Sequence, residues 1–199
     1  MQFTSYRVKL TTITEMLGTA PLDPVSYDAN VAAKAPEDQP VDDELDALPE
    51  ETQKGVTGFL RDPFGNPILA SYAVKGFMKE ACGMNRRVKG SLSEKLKAYK
   101  KVIDGMVFVD PRFITIQTKE PITTLTRPLR AQTAKGERIC LATSEVIQPG
   151  AVLEFTIQVM GQDVTEALLR EWLDYGRFLG LGQWRSGSFG RFTYEMATA

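Results

Sequence analysis

Histidine is absent from all 199 residues. That absence excludes Ser-His-Asp and Cys-His nucleophile systems, histidine acid–base chemistry and most zinc sites. Any catalysis would rest on carboxylates, Tyr, Lys or an oxygen-bound metal. Cysteine is scarce: Cys82 and Cys140 lie far apart, without metal-type or redox-type spacing, and read as buried thiols of a reducing compartment. No apolar run approaches the roughly 18 residues that span a bilayer. The opening MQFTSYRVKL reads as an amphipathic strand rather than a signal peptide. The expected setting is cytoplasmic, with no membrane partner. Internal repeats and low-complexity tracts are also lacking. What remains is an ordinary globular composition, 43% hydrophobic and 25% charged with a formal net charge of −1, long enough for one domain with a real core.

The small net charge conceals strong patterning. Glu37, Asp38, Asp42, Asp43, Glu44, Asp46, Glu50 and Glu51 crowd together with Pro36, Pro40 and Pro49. Residues 28–55 therefore read as an exposed acidic insertion, mobile or held in a short helix. The cluster lacks EF-hand spacing, so a solvated charge run is favoured over a metal site. Mimicry of nucleic acid, or screening of a basic surface, is the alternative. Downstream, Arg86, Arg87, Lys89, Lys95, Lys97, Lys100 and Lys101 face only Glu94, which marks 84–104 as a basic insertion. With Lys75 and Lys79 this is the most positive surface the chain offers. Such density attracts phosphate backbones through counterion release; a solvated helix face is the competing reading.

Periodicity places the elements. Phe3 to Leu10 alternates as a half-buried strand, and Val56–Leu60 with Pro67–Leu69 predicts a hairpin around the turn residues 61–66. Residues 70–83 form a predicted helix with Val74, Phe77, Met78 and Ala81 on its apolar face and Gly83 at its end. Gly76 in its middle suggests close approach of another backbone or a ligand. A short helix over 94–103, capped by Ser91 or Ser93, follows. Strands are predicted over 105–116, 138–145 and 152–160, and 125–133 places Arg127 and Arg130 beside hydroxyl and amide groups. Asp163 with Glu166 has capping-box spacing and opens a helix with Leu168, Trp172, Tyr175 and Leu179 as its stripe, stopped at Gly180.

Beyond that helix comes a loop with Gly180, Gly182, Gly187 and Gly190, interleaved with Trp184, Arg185, Ser186, Ser188 and Arg191. Glycine lets main-chain N–H groups approach a phosphate, arginine adds bidentate charge, and Trp184 or Phe189 would stack on a base. The other reading is a tight helix-to-strand connection whose glycines serve backbone geometry only. Composition leaves both open.

Three segments carry a family likeness: LGLGQWRSGSFGRF at 179–192, PILASYAVKGFMK at 67–79 and VKLTTITEMLG at 8–18. The first resembles the C-terminal glycine-rich loop of the RAMP superfamily, the RNA-binding proteins of CRISPR systems. The second is similar to the Pro-small-Ser then Lys-Gly segment of its backbone-type members, and the third to their first strand and its Thr-Gly turn. The order of elements and the resemblance imply the same fold class, α+β, a ferredoxin-like (RRM-like) antiparallel sheet with helices on one face, plus insertions.

The resemblance also implies a single RAMP-like domain over 1–199 that binds an RNA backbone and assembles side by side on it. Lys75, Lys79, Arg86 and Arg87 would supply charge. Gly182, Gly187 and Gly190 would bring amides to phosphates beside Arg185, Ser186 and Arg191, and Trp184 would stack or wedge between bases. The expected ligand is single-stranded RNA, or single-stranded DNA, and the expected partners are further copies or CRISPR-type complex subunits. No cofactor, metal or catalytic residue is expected. Some backbone-type members cut target RNA with an aspartate near the first loop; Asp23 or Asp28 lies in that region, but neither matches a motif. Histidine-dependent guide processing is not expected, Ser188 departs from the usual glycine or arginine, and the acidic insertion does not map onto the family pattern. The alternative function is a protein-interaction or anti-defence subunit, such as a stand-alone phage or prophage member that joins or obstructs a host complex; a metal-dependent ribonuclease is the third and least favoured reading.

Overall fold

The computed structural model describes residues 3–22, 56–133 and 136–199, with side chains described outside 129–140. The expected acidic insertion, Asp23, Asp28 and the side chain of Cys140 lie outside the described residues. The chain runs β1 (Phe3–Thr12), β2 (Met16–Leu17), β3 (Ala20–Pro21), β4 (Val56–Gly58), β5 (Leu60–Arg61), β6 (Pro67–Ala70), α1 (Ser71–Asn85), α2 (Tyr99–Met106), β7 (Val107–Asp110) and β8 (Phe113–Gln117). It continues through the hairpin β9 (Thr123–Thr133) and β10 (Gly136–Ile147), then β11 (Val152–Met160), α3 (Glu166–Asp174) and β12 (Phe192–Thr198).

Alternation in β1 buries Tyr6, Val8 and Leu10, which face Ile157, Phe155 and Leu153 of β11 in antiparallel register. β12 pairs with the other edge of β1, and β7 with β11. The spatial order β12–β1–β11–β7, entirely antiparallel, with α1 after β1 and α3 after β11, is the βαββαβ arrangement of the ferredoxin-like fold. Val74, Phe77, Met78, Ala81 and Cys82 of α1 share one core with Leu168, Leu169, Trp172 and Leu173 of α3 and with the sheet. Phe77 meets Phe192 edge-on at 5.0 Å between ring centroids. Strands β8, β6 and β5 extend this sheet. A second, five-stranded sheet runs β2–β10–β4–β3 with β9 on β10, and β4 lies parallel to β10.

The hairpin predicted around 61–66 forms between β5 and β6, tied by Asp62 accepting from the Phe64 and Asn66 amides. Several boundaries differ from expectation. α1 continues past Gly83 to Asn85, because Gly83 is where the Tyr99 hydroxyl packs against the helix rather than a stop. Gly76 faces open space, so no backbone approaches it. The predicted helix over 94–103 is split: a 3-10 turn at Ser93–Lys95, Leu96 extended, Ala98 at φ 48, and only then α2. α2 runs to Met106, which delays the following strand to Val107, and Pro111 separates β7 from β8. The α3 cap is Thr165, whose side chain accepts from the Leu168 amide, and not Asp163. Val164, at the position before the cap, and Leu169 are both buried, the arrangement of a hydrophobic staple. α3 stops at Asp174 and tightens into a 3-10 turn at Tyr175–Arg177, since Gly176 lies against the Phe192 ring where a methyl group would overlap.

Candidate nucleic-acid interface

The glycine-rich loop joins α3 to β12 through a closed neck. A methyl group at Gly180 would overlap the Phe189 carbonyl, and one at Gly190 would overlap the Leu181 carbonyl. The two arms therefore touch backbone to backbone, with the Leu181 amide donating to Gly190 O at 2.9 Å. The neck is fastened to the segment after β1. Gln183 N donates to Leu17 O (3.1 Å), Gly190 N to Glu15 O (2.7 Å) and Arg191 N to Thr14 Oγ1 (2.9 Å). Gly182, at φ +90, passes directly over Leu17 O. The amides of Gly187 and Ser188 close onto Trp184 O and Arg185 O. These glycines serve backbone geometry, and the paired amides cannot also take a phosphate. The main-chain grip expected along Gly182 to Arg191 therefore loses the amides of Gln183, Gly187, Ser188, Gly190 and Arg191 to the fold.

Side chains at the tip carry what remains. Trp184 and Ser188 both have left-handed backbones, at φ 53 and φ 72, and frame a 3-10 turn at Arg185–Gly187. Trp184 is 43% exposed, yet it stacks on Phe189 with centroids 5.2 Å apart, and the Arg127 guanidinium lies 4.8 Å from its ring centre. Only glycine fits against the indole at Gly187, since a Cβ there would come within 2.8 Å of it. Base stacking on Trp184 thus competes with contacts inside the protein. Ser186 is exposed. Arg185 is paired to Glu80 of α1 at 2.7 Å, and Arg191 keeps a buried Nε without an acceptor.

The expected basic residues on α1 and beyond lie across that ion pair. Lys79 pairs with Asp104 at 2.8 Å, and Lys75 donates to Asp104 O at 3.0 Å beside the Phe108 ring. Burial pulls the Lys75 ammonium below its ordinary pKa, with Asp104 opposing the effect. Arg86 and Arg87 follow the helix and are exposed, Arg86 stacking over Tyr99 at 5.1 Å. A cleft of about 430 Å³ is lined by Gly76, Lys79, Glu80, Gly83, Arg87 and Tyr99 among others. The Arg185–Glu80 pair therefore brings the loop tip to one wall of a cationic cleft. Gly182, Gly190 and Arg191 stay at the neck, on the side of β2.

One residue that sequence reasoning passed over is Arg127 of β9, noted only as an arginine beside hydroxyl and amide groups. It is 6% exposed, and its Nη atoms reach Ser144 Oγ (3.1 Å) and Gln183 Oε1 (3.2 Å). Its Nε has no acceptor, and burial pushes the group below its ordinary pKa. Arginine stays charged regardless, so the direction reflects a buried charge that the site solvates poorly. The available signal was an arginine at an inward position of an alternating strand. Among the described residues no group of three His, Cys, Asp or Glu side chains could hold a metal, and no helix is long and apolar enough to cross a membrane.

No family model and no curated protein matches the chain. Among solved structures it is similar to a chain of the cryo-EM structure of the Type III-B Cmr-beta bound to cognate target RNA, with a TM-score of 0.57 and 14% identity. The match covers 99% of this chain, which spans 61% of that chain's length. At that identity the likeness is one of architecture, and what it establishes is an α+β, ferredoxin-like fold.

Proposed function

We propose that this chain binds single-stranded RNA as a non-catalytic, backbone-like subunit of a CRISPR-type complex, with copies or related subunits side by side along the strand. The observation that carries the reading is the seam at Arg185–Glu80, where a glycine-loop tip bearing Trp184 and Ser186 meets the cationic wall of Lys79, Arg87 and Lys100. The fold likeness to a chain of an RNA-bound complex supports it. In this reading Lys75, Lys79, Arg86 and Arg87 hold the backbone by charge, and Trp184, Arg185 and Ser186 meet it from the loop.

Fluorescence anisotropy with labelled single-stranded RNA over a salt series tests this. Affinity falls with salt, and Arg86→Ala with Arg87→Ala flattens the log–log slope by about 0.7 for each phosphate that is no longer neutralised. Absence of binding at low salt overturns the proposal. Exposed Met84, Val88 and Leu92 beside these cations favour a second reading, docking on a partner protein. It predicts weak RNA binding whose salt slope the double variant leaves unchanged.

A further inference from the structure

Four side chains from four segments converge beneath the loop. Thr57 of β4, Ser144 of β10 and Arg127 of β9 all reach one atom, Gln183 Oε1, at 3.0, 2.8 and 3.2 Å. Arginine can only donate, so the atom facing it is the amide oxygen. Ser144 Oγ also takes Arg127 Nη1 at 3.1 Å and lies 2.8 Å from Thr57 Oγ1. The two hydroxyls have one proton each for three mutual contacts, so when one donates to the other, Gln183 Oε1 takes the remaining hydroxyl and Arg127, which fill its two lone pairs. The buried Arg127 charge thus meets only two neutral acceptors, Ser144 Oγ and Gln183 Oε1, in a place that would suit an anionic oxygen better.

Among the described residues no carboxylate supplies that charge. Arg61, Arg170 and Arg185 each hold a Glu, whereas Arg127 bonds to Ser144 and Gln183 and leaves Nε unmatched. Glu145, next to Ser144, is turned to the other side of its strand, where it binds Arg61 and the Phe59 amide. Ser144 is fully buried, but Thr57 and Gln183 are half-buried, so the Gln183 side chain is the piece that moves to admit a ligand.

We propose that Arg127, Ser144 and Thr57 form an anion site for a phosphate group, which the Gln183 amide oxygen fills when no anion is bound. On the RNA-binding reading, which this inference extends, the anion is a backbone phosphate of the strand lying on the loop. The site is distinct from the cations of α1 and recruits three residues that sequence reasoning did not assign.

Gln183→Glu places a carboxylate at the same position and is the decisive variant. Thermal melts in inorganic phosphate, against chloride at equal ionic strength, are run beside RNA anisotropy on the full chain. The wild type gains several degrees in phosphate. Gln183→Glu melts higher than wild type without phosphate, loses the phosphate gain, and binds RNA about tenfold more weakly. Arg127→Met removes the phosphate gain by a separate route. A Gln183→Glu variant that melts lower than wild type, responds equally to phosphate, or binds RNA as wild type does overturns the site. A phosphate gain abolished by Gln183→Glu, in a protein that binds no RNA, leaves the anion site standing and removes the RNA reading instead.

Discussion

At Gly190 the backbone sits at φ +70, and a methyl group would run into the Leu181 carbonyl. At Gly76 nothing lies within 4 Å of the same added atom, and the residue occupies the middle of α1. The two substitutions to alanine should therefore have opposite signs. Gly190→Ala costs at least about 2 kcal/mol, from left-handed strain plus the overlap. Gly76→Ala gains about 0.5–1 kcal/mol by removing a flexible residue from a helix. Urea denaturation midpoints read both, and a stabilised Gly190→Ala would refute the closed neck. Composition marks all such glycines alike. Only the neighbour across the loop separates a crossing point from an open helix face.

Between α1 and α2 the basic segment is held by a neighbouring element. Glu171 of α3 accepts from the amides of Leu92 and Ser93 and from the Ser93 hydroxyl. Trp172 donates its indole N–H to the same hydroxyl at 2.9 Å, and Asn85 donates to Glu171 O. One carboxylate thus pins residues 92–93 to a helix that lies far along the chain. Glu171→Ala leaves those donors unmatched and costs about 2–3 kcal/mol. Hydrogen exchange should quicken over residues 88–98 while the β9–β10 hairpin keeps its protection; equal quickening in both would mean global loosening instead. The same contacts explain why the helix predicted over 94–103 starts late. Ser91 does accept from the Glu94 amide, as a cap would, and Glu94 accepts from Gly90. The segment is nevertheless drawn toward Glu171, and the helical run restarts only after Ala98.

For the whole molecule, the core buries ionisable groups that prefer to stay neutral. Burial, reinforced by Glu166, raises the Tyr6 phenol, and burial with Asp174 beside it raises Tyr194. A phenol that keeps its proton longer in the fold than in the unfolded chain contributes stability below the ordinary value of about 10. That contribution is lost as pH rises from there through the folded value. Lys75, whose charged form burial disfavours, works in the opposite sense, so the test needs a variant that isolates one group. Tyr6→Phe should flatten the decline of the urea midpoint as pH rises through about 10, and an unchanged decline would place the titrating group elsewhere.

Strand alternation in 3–10 and 152–160, the apolar stripe of α1 and the turn at 61–66 were legible because each depends on neighbours within a few positions. The ferredoxin-like class followed from their order. The glycine loop was legible as a loop, but whether its amides face a ligand or the protein depends on Leu17, Glu15 and Thr14, at the opposite end of the chain. The second sheet, the Arg185–Glu80 seam and the buried guanidinium of Arg127 have the same character. Local propensity and periodicity, short-range effects of backbone and side-chain sterics, were determined by the sequence read alone. Which donors meet which acceptors, and which charge is left without a counter-ion, was decided only when the tertiary structure brought distant segments into contact.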